Sequence, residues 1–178
     1  MKYPILEKMF EIENPKSVFE IGCAGGPFLK ELREHYGDIL VGGMDITRSD
    51  LESAKEKFPP HIYGDMRDNF IVHNLVETPW PIEDNKYDIV FCIGVLMYIF
   101  EPEKVIRECL RIGKKLILAE FHNGNLDEYG GLTKVTQGEK VVGLGITRNY
   151  CELIKKMGLK YEVKSYDPPF KTIISCHE

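Results

Sequence analysis

The sequence lacks the cysteine spacings that mark metal sites and disulfide frameworks. Its 178 residues include five cysteines, an odd number, and the closest pair, Cys92 and Cys109, are 17 residues apart. Neither a CxxC metal site nor a disulfide framework fits this pattern. Several of the cysteines lie in apolar runs, which is typical of free thiols in a reducing compartment. We therefore expect a cytoplasmic protein without a metal site.

Two further features are missing: an excess of positive charge and a long apolar run. The chain has 23 Lys and Arg against 28 Asp and Glu, a net charge of −5, whereas a nucleic-acid partner usually requires a basic face. No apolar run reaches the roughly 20 residues of a transmembrane helix. The first 16 residues carry charges throughout and lack the apolar core of a signal peptide. We expect neither a membrane nor a nucleic acid as partner.

Short apolar stretches rich in β-formers alternate with amphipathic stretches of helical period along the chain. This alternation predicts an α/β fold in one domain over residues 1–178: a Rossmann-like, doubly wound sheet of about seven strands, mostly parallel with an antiparallel last strand. The predicted strands are 17–22, 38–46, 69–75, 87–94, 114–121, 160–167 and 170–177, and the predicted helices are 27–36, 47–58, 102–112 and 147–158. Ligands of such sheets bind beyond the carboxyl ends of the strands.

The first predicted strand runs into a glycine turn, EIGCAGG, at residues 20–26. A dinucleotide fingerprint, G-x-G-x-x-G, is absent, because Ala24 and Pro27 stand where its second and third glycines belong. Glu20 precedes the first glycine by two residues, and its carboxylate would repel a pyrophosphate. It favours a ligand with a positive group, such as an amine or a sulfonium. A tight turn without a ligand is the alternative.

This turn resembles the first motif of class I S-adenosylmethionine-dependent methyltransferases, D/E-x-G-x-G-x-G, with Ala24 in place of the middle glycine. The resemblance extends from about Ser17 to Gly158. It implies S-adenosylmethionine as cofactor and S-adenosylhomocysteine as product. It also implies that the glycine turn and the start of the following helix receive the methionine carboxylate, while Glu20 holds the amino group.

Later segments resemble the same family. In VGGMDIT, Asp45 stands where the family has the acid that binds the ribose hydroxyls. In VHNLVETPWP, Asn74 stands where an aspartate usually binds the adenine amino group; a competing alignment assigns that role to Asp65. In YDIVFCIGVLMY, Cys92 and Ile93 fall beside the methionine moiety. The cofactor-binding residues implied are Glu20, Gly22, Cys23, Gly26, Asp45, Ile46, Asn74, Leu75 and Ile93.

The acceptor side is less defined by the sequence. Two segments stand where members of the family determine substrate choice. Residues 1–16 correspond to an N-terminal lid segment, and the glycine-rich insertion 122–146 corresponds to a variable region. Both are short, and the N/D-P-P-Y/F motif of many amino-group methyltransferases is absent after the fourth strand. We therefore expect a small-molecule acceptor and O- or N-methyl transfer. His122 is the candidate general base, ahead of Glu120, Tyr98 and His73.

Two other functions stay open from the sequence. One is an S-adenosylmethionine-binding domain that is not catalytic or that serves as a partner subunit. The loss of the middle glycine and the presence of Asn74 are the observations that favour it. The other is a nicotinamide-dependent oxidoreductase on a similar sheet. The identity of the acceptor and the oligomeric state have no signal in the sequence.

Overall fold

Nine strands and four α-helices lie within the residues that the structure, a computed structural model, describes: 15–58, 69–120, 131–137, 140–165 and 172–177. The strands are β1 (Ser17–Ile21), β2 (Leu40–Asp45), β3 (Phe70–Val72), β4 (Tyr87–Ile93), β5 (Gly113–Glu120), β6 (Gly131–Gln137), β7 (Lys140–Thr147), β8 (Lys160–Ser165) and β9 (Thr172–His177). The helices are α1 (Pro27–Tyr36), α2 (Arg48–Glu56), α3 (Pro102–Ile112) and α4 (Tyr150–Lys156), with a short 3₁₀ helix at Leu96–Tyr98.

Seven of the described strands form one sheet in the order β3-β2-β1-β4-β5-β9-β8. The first five are parallel, and β9 pairs antiparallel with both β5 and β8. The predicted α/β fold with a parallel Rossmann-like sheet is therefore confirmed. The order reverses between β1 and β4, which lie side by side although two strands separate them in the chain. This switch point opens a crevice at the carboxyl ends of the strands.

Helices cover both faces of the sheet, and the alternation of strand side chains divides the core accordingly. On β4, Val90 and Cys92 face one hydrophobic cluster, whereas Ile89 and Phe91 face the other. The first cluster contains the buried side chains of α3 and α4, and the second contains those of α1 and α2. Strands buried on both faces have nearly continuous apolar sequences, as β4 and β5 do.

Sequence signals locate the helix starts well. Prolines begin α1 at Pro27 and α3 at Pro102, as expected for a residue that lacks an amide hydrogen. Thr47 is the N-cap of α2. The last helix starts three residues later than the predicted 147, because the Asn149 side chain accepts a hydrogen bond from the amide of Glu152 at 3.1 Å and caps the helix there.

The insertion at 122–146, for which no strand was predicted, contains regular structure. Residues 131–137 and 140–147 form an antiparallel hairpin, β6–β7, which is separate from the main sheet. Its glycines obscure the alternation of Leu, Val, Thr and Ile that favours strands. Residues 122–130 of this insertion, including His122, and most of the predicted N-terminal lid segment lie outside the described residues.

The strand after α2 is also shorter than its predicted span of 69–75. It pairs with β2 from Phe70 to Val72 and then leaves the sheet. As an edge strand it has one neighbour, so pairing ends where β2 ends, at Asp45. Within the described parts of the chain, no helix combines the length and the apolar character needed to cross a membrane.

The N-cap of α4 yields a stability prediction. Asn149→Ala should lower the free energy of unfolding by about 0.5–2 kcal/mol, because it removes the acceptor for the Glu152 amide. Asn149→Asp keeps a side-chain oxygen at this position and should remain close to the wild type. Urea denaturation monitored by circular dichroism measures both. Equal losses in the two variants would show that the side-chain acceptor does not account for the stability contributed by Asn149.

Candidate functional site

The turn that joins β1 to α1 is held against β2. Its residues Gly22, Ala24 and Gly26 have positive φ angles of 64°, 46° and 66°. The amides of Gly22 and Cys23 donate to the carbonyl of Met44 at 2.7 and 3.1 Å. The turn therefore cannot move independently of the neighbouring strand.

Ala24 adopts a backbone conformation that glycine adopts without strain. For a residue with a Cβ atom, the left-handed region costs roughly 1–2 kcal/mol. The Ala24 amide donates to Oδ2 of Asp45 at 2.9 Å. This hydrogen bond to a carboxylate offsets part of that cost. The replacement of the middle motif glycine thus keeps the shape of the turn.

Asp45 connects three elements at the carboxyl edge of the sheet. It ends β2, and while Oδ2 accepts from Ala24, Oδ1 accepts from the amide of Thr47 at 2.9 Å, at the start of α2. Each carboxylate oxygen can accept a further hydrogen bond. The Asp45 carboxylate is therefore fixed in place and still has lone pairs to offer toward the crevice.

Glu20 is a buried carboxyl group near the end of β1. Its residue is 6% exposed, and no hydrogen-bond partner for its Oε2 atom exists among the described residues. Burial, and then the negative charge of Asp45, raise the pKa of Glu20 well above its usual range. An unpaired buried carboxyl of this kind is stabilised by a cationic donor.

A cavity of about 500 Å³ lies at the switch point; Asp45 lines it, and Glu20 comes two residues before the lining residue Gly22. This volume falls within the range usual for small-molecule sites, about 300–1,000 Å³. Its lining is mainly apolar, and the polar side chains in it are those of Asp45, Asn74 and Tyr98. The lining residues are Gly22, Asp45, Ile46, Asn74, Leu75, Val76, Ile93, Gly94, Val95, Tyr98 and Ile99.

Most of the residues expected to bind a cofactor meet at this cavity. Six of the nine line it: Gly22, Asp45, Ile46, Asn74, Leu75 and Ile93. The other three, Glu20, Cys23 and Gly26, are buried in or beside the glycine turn. The competing adenine residue, Asp65, lies outside the described residues.

The β4 end differs in detail from the expectation. Cys92 does not line the cavity: its side chain is fully buried and its Sγ lies 3.3 Å from Oε1 of Glu120. Of the last two residues of the segment YDIVFCIGVLMY, Met97 is buried in the core, whereas Tyr98 is 54% exposed and lines the cavity. Strand alternation and the 3₁₀ turn decide these orientations.

Two of the alternative base candidates do not line the cavity. Glu120 is 3% exposed, and burial raises its pKa to about 7. Its Oε1 atom accepts from backbone amides rather than facing the crevice. His73 has its Nε2 atom 2.7 Å from the carbonyl of Glu77.

Sequence reasoning missed the cavity residues that follow the predicted ones. Val76 follows Leu75, and Gly94 and Val95 follow Ile93. Their position next to motif residues was the only sequence feature that could have indicated that they line the cavity. Trp80 is buried, and its Nε1 donates to the carbonyl of Leu75 at 3.1 Å. It supports the wall rather than lining it.

Comparison with known proteins identifies the family. The methyltransferase domain family matches residues 19–116, more than half of the chain. The chain belongs to the class I S-adenosylmethionine-dependent methyltransferase family, whose cofactor is S-adenosylmethionine.

Curated relatives with similar sequences include ubiquinone biosynthesis O-methyltransferases. The protein of Neisseria meningitidis serogroup A is 28% identical over 100 residues, which cover 56% of this chain and 40% of that protein. That of Coxiella burnetii is 25% identical over 146 residues, covering 79% of this chain and 58% of that protein. The chain thus spans only about half the length of these relatives.

Solved structures share the fold over nearly the whole chain. An S-adenosylmethionine-dependent methyltransferase from Mesorhizobium loti superposes with a TM-score of 0.71 at 13% identity, covering 99% of this chain and 97% of that one. Magnesium protoporphyrin IX methyltransferase from Synechocystis, crystallised with S-adenosylmethionine, gives 0.64 at 17% identity and covers 99% and 79%. At these identities the likeness shows the fold alone.

The close approach of the two cavity loops can be measured. A Cβ atom added at Gly22 would lie 2.4 Å from Cγ2 of Val95. Gly22→Ala should therefore destabilise the protein by more than the roughly 1–2 kcal/mol of left-handed strain. In a Val95→Ala background the same substitution should cost less, since the overlap is gone. A double-mutant cycle from urea denaturation tests this contact, and equal costs in both backgrounds would contradict it.

Proposed function

We propose that this chain transfers the methyl group of S-adenosylmethionine to an oxygen or nitrogen atom of a small-molecule acceptor. The observation that carries the proposal is the pair of acids at the switch point: the fixed Asp45 carboxylate lines a cavity of suitable size, and the nearby buried Glu20 has an oxygen without a partner among the described residues. When bound, the cofactor supplies an activated methyl group on a sulfonium. The protein has to bind, orient and exclude water.

The residues present fit the amino-acid end of this cofactor. Oε2 of Glu20 has no hydrogen-bond partner within the described part of the chain, and an ammonium group would supply one. The carboxylate finds fewer donors than the motif suggests, because the amides of Gly22, Cys23, Ala24 and Gly26 already donate within the protein. We assign the carboxylate to the first turn of α1, where helix amides lack intrahelical acceptors.

The residues also fit the nucleoside end. The free lone pairs of Asp45 suit two ribose hydroxyls. Leu75 and the 66% exposed Ile46 offer apolar surface for a planar base. The Asn74 side chain accepts from the amide of Val76 at 3.3 Å, which fixes its oxygen beside the cavity. An amide oxygen accepts from the adenine amino group without the charge of an aspartate.

The acceptor class rests on charge and relatives. The net charge of −5 disfavours nucleic acid, and the curated relatives act, by their names, in ubiquinone biosynthesis as O-methyltransferases. A hydroxyl acceptor needs a base, and we keep His122 for that role. Tyr98, which lines the cavity with an exposed side chain, is positioned to contact the acceptor.

Isothermal titration calorimetry distinguishes the proposed function from the alternatives. S-adenosylmethionine and S-adenosylhomocysteine should bind, and NADH should not. Binding of NADH without either adenosyl compound would indicate an oxidoreductase. If both adenosyl compounds bind but a panel of phenols, catechols and amines yields no methylated product by mass spectrometry, the non-catalytic alternative is favoured.

Substitution of Asp45 tests the ribose contact. Asp45→Ala should weaken S-adenosylhomocysteine binding by more than tenfold, about 1.4 kcal/mol. Because Asp45 also holds Ala24 and Thr47, Asp45→Asn is the informative companion, since it keeps one acceptor oxygen and should bind with intermediate affinity. Unchanged affinity in both folded variants would show that the ribose assignment is wrong.

The raised pKa of Glu20 makes binding depend on pH. The free protein keeps Glu20 protonated above the usual carboxyl range, whereas a bound ammonium favours the carboxylate, so binding releases a proton. Affinity for S-adenosylhomocysteine should therefore rise with pH until Glu20 is ionised in the free protein. Glu20→Gln should bind more weakly and lose this rise. Calorimetry in buffers of different ionisation enthalpy counts the released protons, and a pH-independent wild type would contradict the assignment.

A further inference from the structure

One wall of the cavity is a short loop that follows β4. Gly94, Val95, Tyr98 and Ile99 line the cavity from this loop. Residues 94–100 include only a single 3₁₀ turn, so regular secondary structure does little to fix the loop. The position of the loop therefore depends on contacts with residues elsewhere in the chain.

Glu120 supplies the first of these contacts, from the carboxyl end of β5. Its Oε1 atom accepts hydrogen bonds from the amides of Val95 and Leu96, both at 3.0 Å. The Sγ atom of Cys92 donates to the same oxygen at 3.3 Å. One buried carboxylate oxygen thus holds the beginning of the loop to the sheet.

Arg148 supplies the second contact, from the residues between β7 and α4. Its Nη1 atom donates to the carbonyl of Leu96 at 2.9 Å, and Nη2 donates to the carbonyl of Phe100 at 3.0 Å. Arg148 is 6% exposed. The planar guanidinium therefore spans the loop and fixes the separation of two carbonyls along it.

The loop in turn contacts the glycine turn. There is no room for a Cβ atom at Gly22, because it would lie 2.4 Å from the Val95 side chain. Val95 carries one of the two amides that Glu120 holds. The position of Glu120 therefore sets the distance between the two walls where they meet.

We propose that Glu120 and Arg148 are positioning residues for the cofactor, holding residues 94–100 in the place that binding requires. This inference rests on the proposed function. Neither side chain lines the cavity, so both act through the backbone that does. An apolar pair would fill the same volume with less desolvation, but it would not direct two amides and two carbonyls.

The test compares S-adenosylhomocysteine affinity in variants of Glu120. Glu120→Ala should weaken binding by at least tenfold, because both amides lose their acceptor. Glu120→Gln keeps an acceptor oxygen and should bind within about threefold of the wild type. Ile112→Ala is the matched control: it opens a buried position at the far end of α3, should lower the melting temperature, and should leave affinity unchanged.

Arg148 provides an independent pair if Glu120→Ala does not fold. Arg148→Lys keeps the positive charge but cannot donate to both carbonyls in the geometry of a guanidinium, and it should weaken binding by more than threefold. Arg148→Ala should weaken binding further. Full affinity in folded Glu120→Ala, or in both Arg148 variants, would overturn the inference while the proposed function stands. Failure of the wild type to bind S-adenosylhomocysteine would overturn the proposed function, and the inference with it.

Discussion

The cavity depends on two positions where the chain has no side chain. At Gly22 a Cβ atom would lie 2.4 Å from Val95, and at Gly43 it would lie 2.5 Å from the sulfur of Cys23. The missing side chain at Gly22 allows the loop after β4 to approach the glycine turn, and the missing side chain at Gly43 allows the turn to pack on β2. Since β1 lies between β2 and β4, both approaches occur around the same strand end. Close packing within the protein therefore positions the two walls of the cavity without any contribution from a ligand.

The electrostatics of the packed site then determines which ligand charge it favours. Two carboxyl groups, Glu20 and Asp45, lie close enough that the charge of one raises the pKa of the other. Both oxygens of Asp45 accept from backbone amides, whereas among the described residues Oε2 of Glu20 has no hydrogen-bond partner. An arrangement of this kind is unfavourable in isolation, and a ligand with a positive group relieves it. A ligand of net negative charge, such as a dinucleotide, would make it worse.

The sequence predicted the elements that local chemistry determines. Pro27 and Pro102 mark helix starts, and the buried strands β4 and β5 are recognisable from apolar composition alone. The cavity residues next to motif positions were partly predicted, since strand ends in a parallel sheet meet at one edge. The family resemblance added Asn74 and Leu75, which propensity would not have singled out.

What the sequence did not reveal depends on contacts between distant segments. The roles of Glu120 and Arg148 in holding residues 94–100 arise from bonds that span 24 to 52 positions along the chain. No local pattern distinguishes a carboxylate that accepts backbone amides from one that faces a cavity. The β6–β7 hairpin was missed for a related reason: its two strands form a sheet of their own, and glycines interrupt their run of strand-forming residues.

The alanine in the glycine turn has a consequence beyond strain. An unfolded chain with alanine at position 24 samples fewer backbone conformations than one with glycine, so it loses less entropy on folding. Part of the enthalpic penalty of the left-handed conformation at Ala24 is thus offset in the unfolded ensemble. The turn also has fewer alternative conformations to visit once folded. A loop that is ordered before its ligand arrives pays a smaller entropic cost at binding.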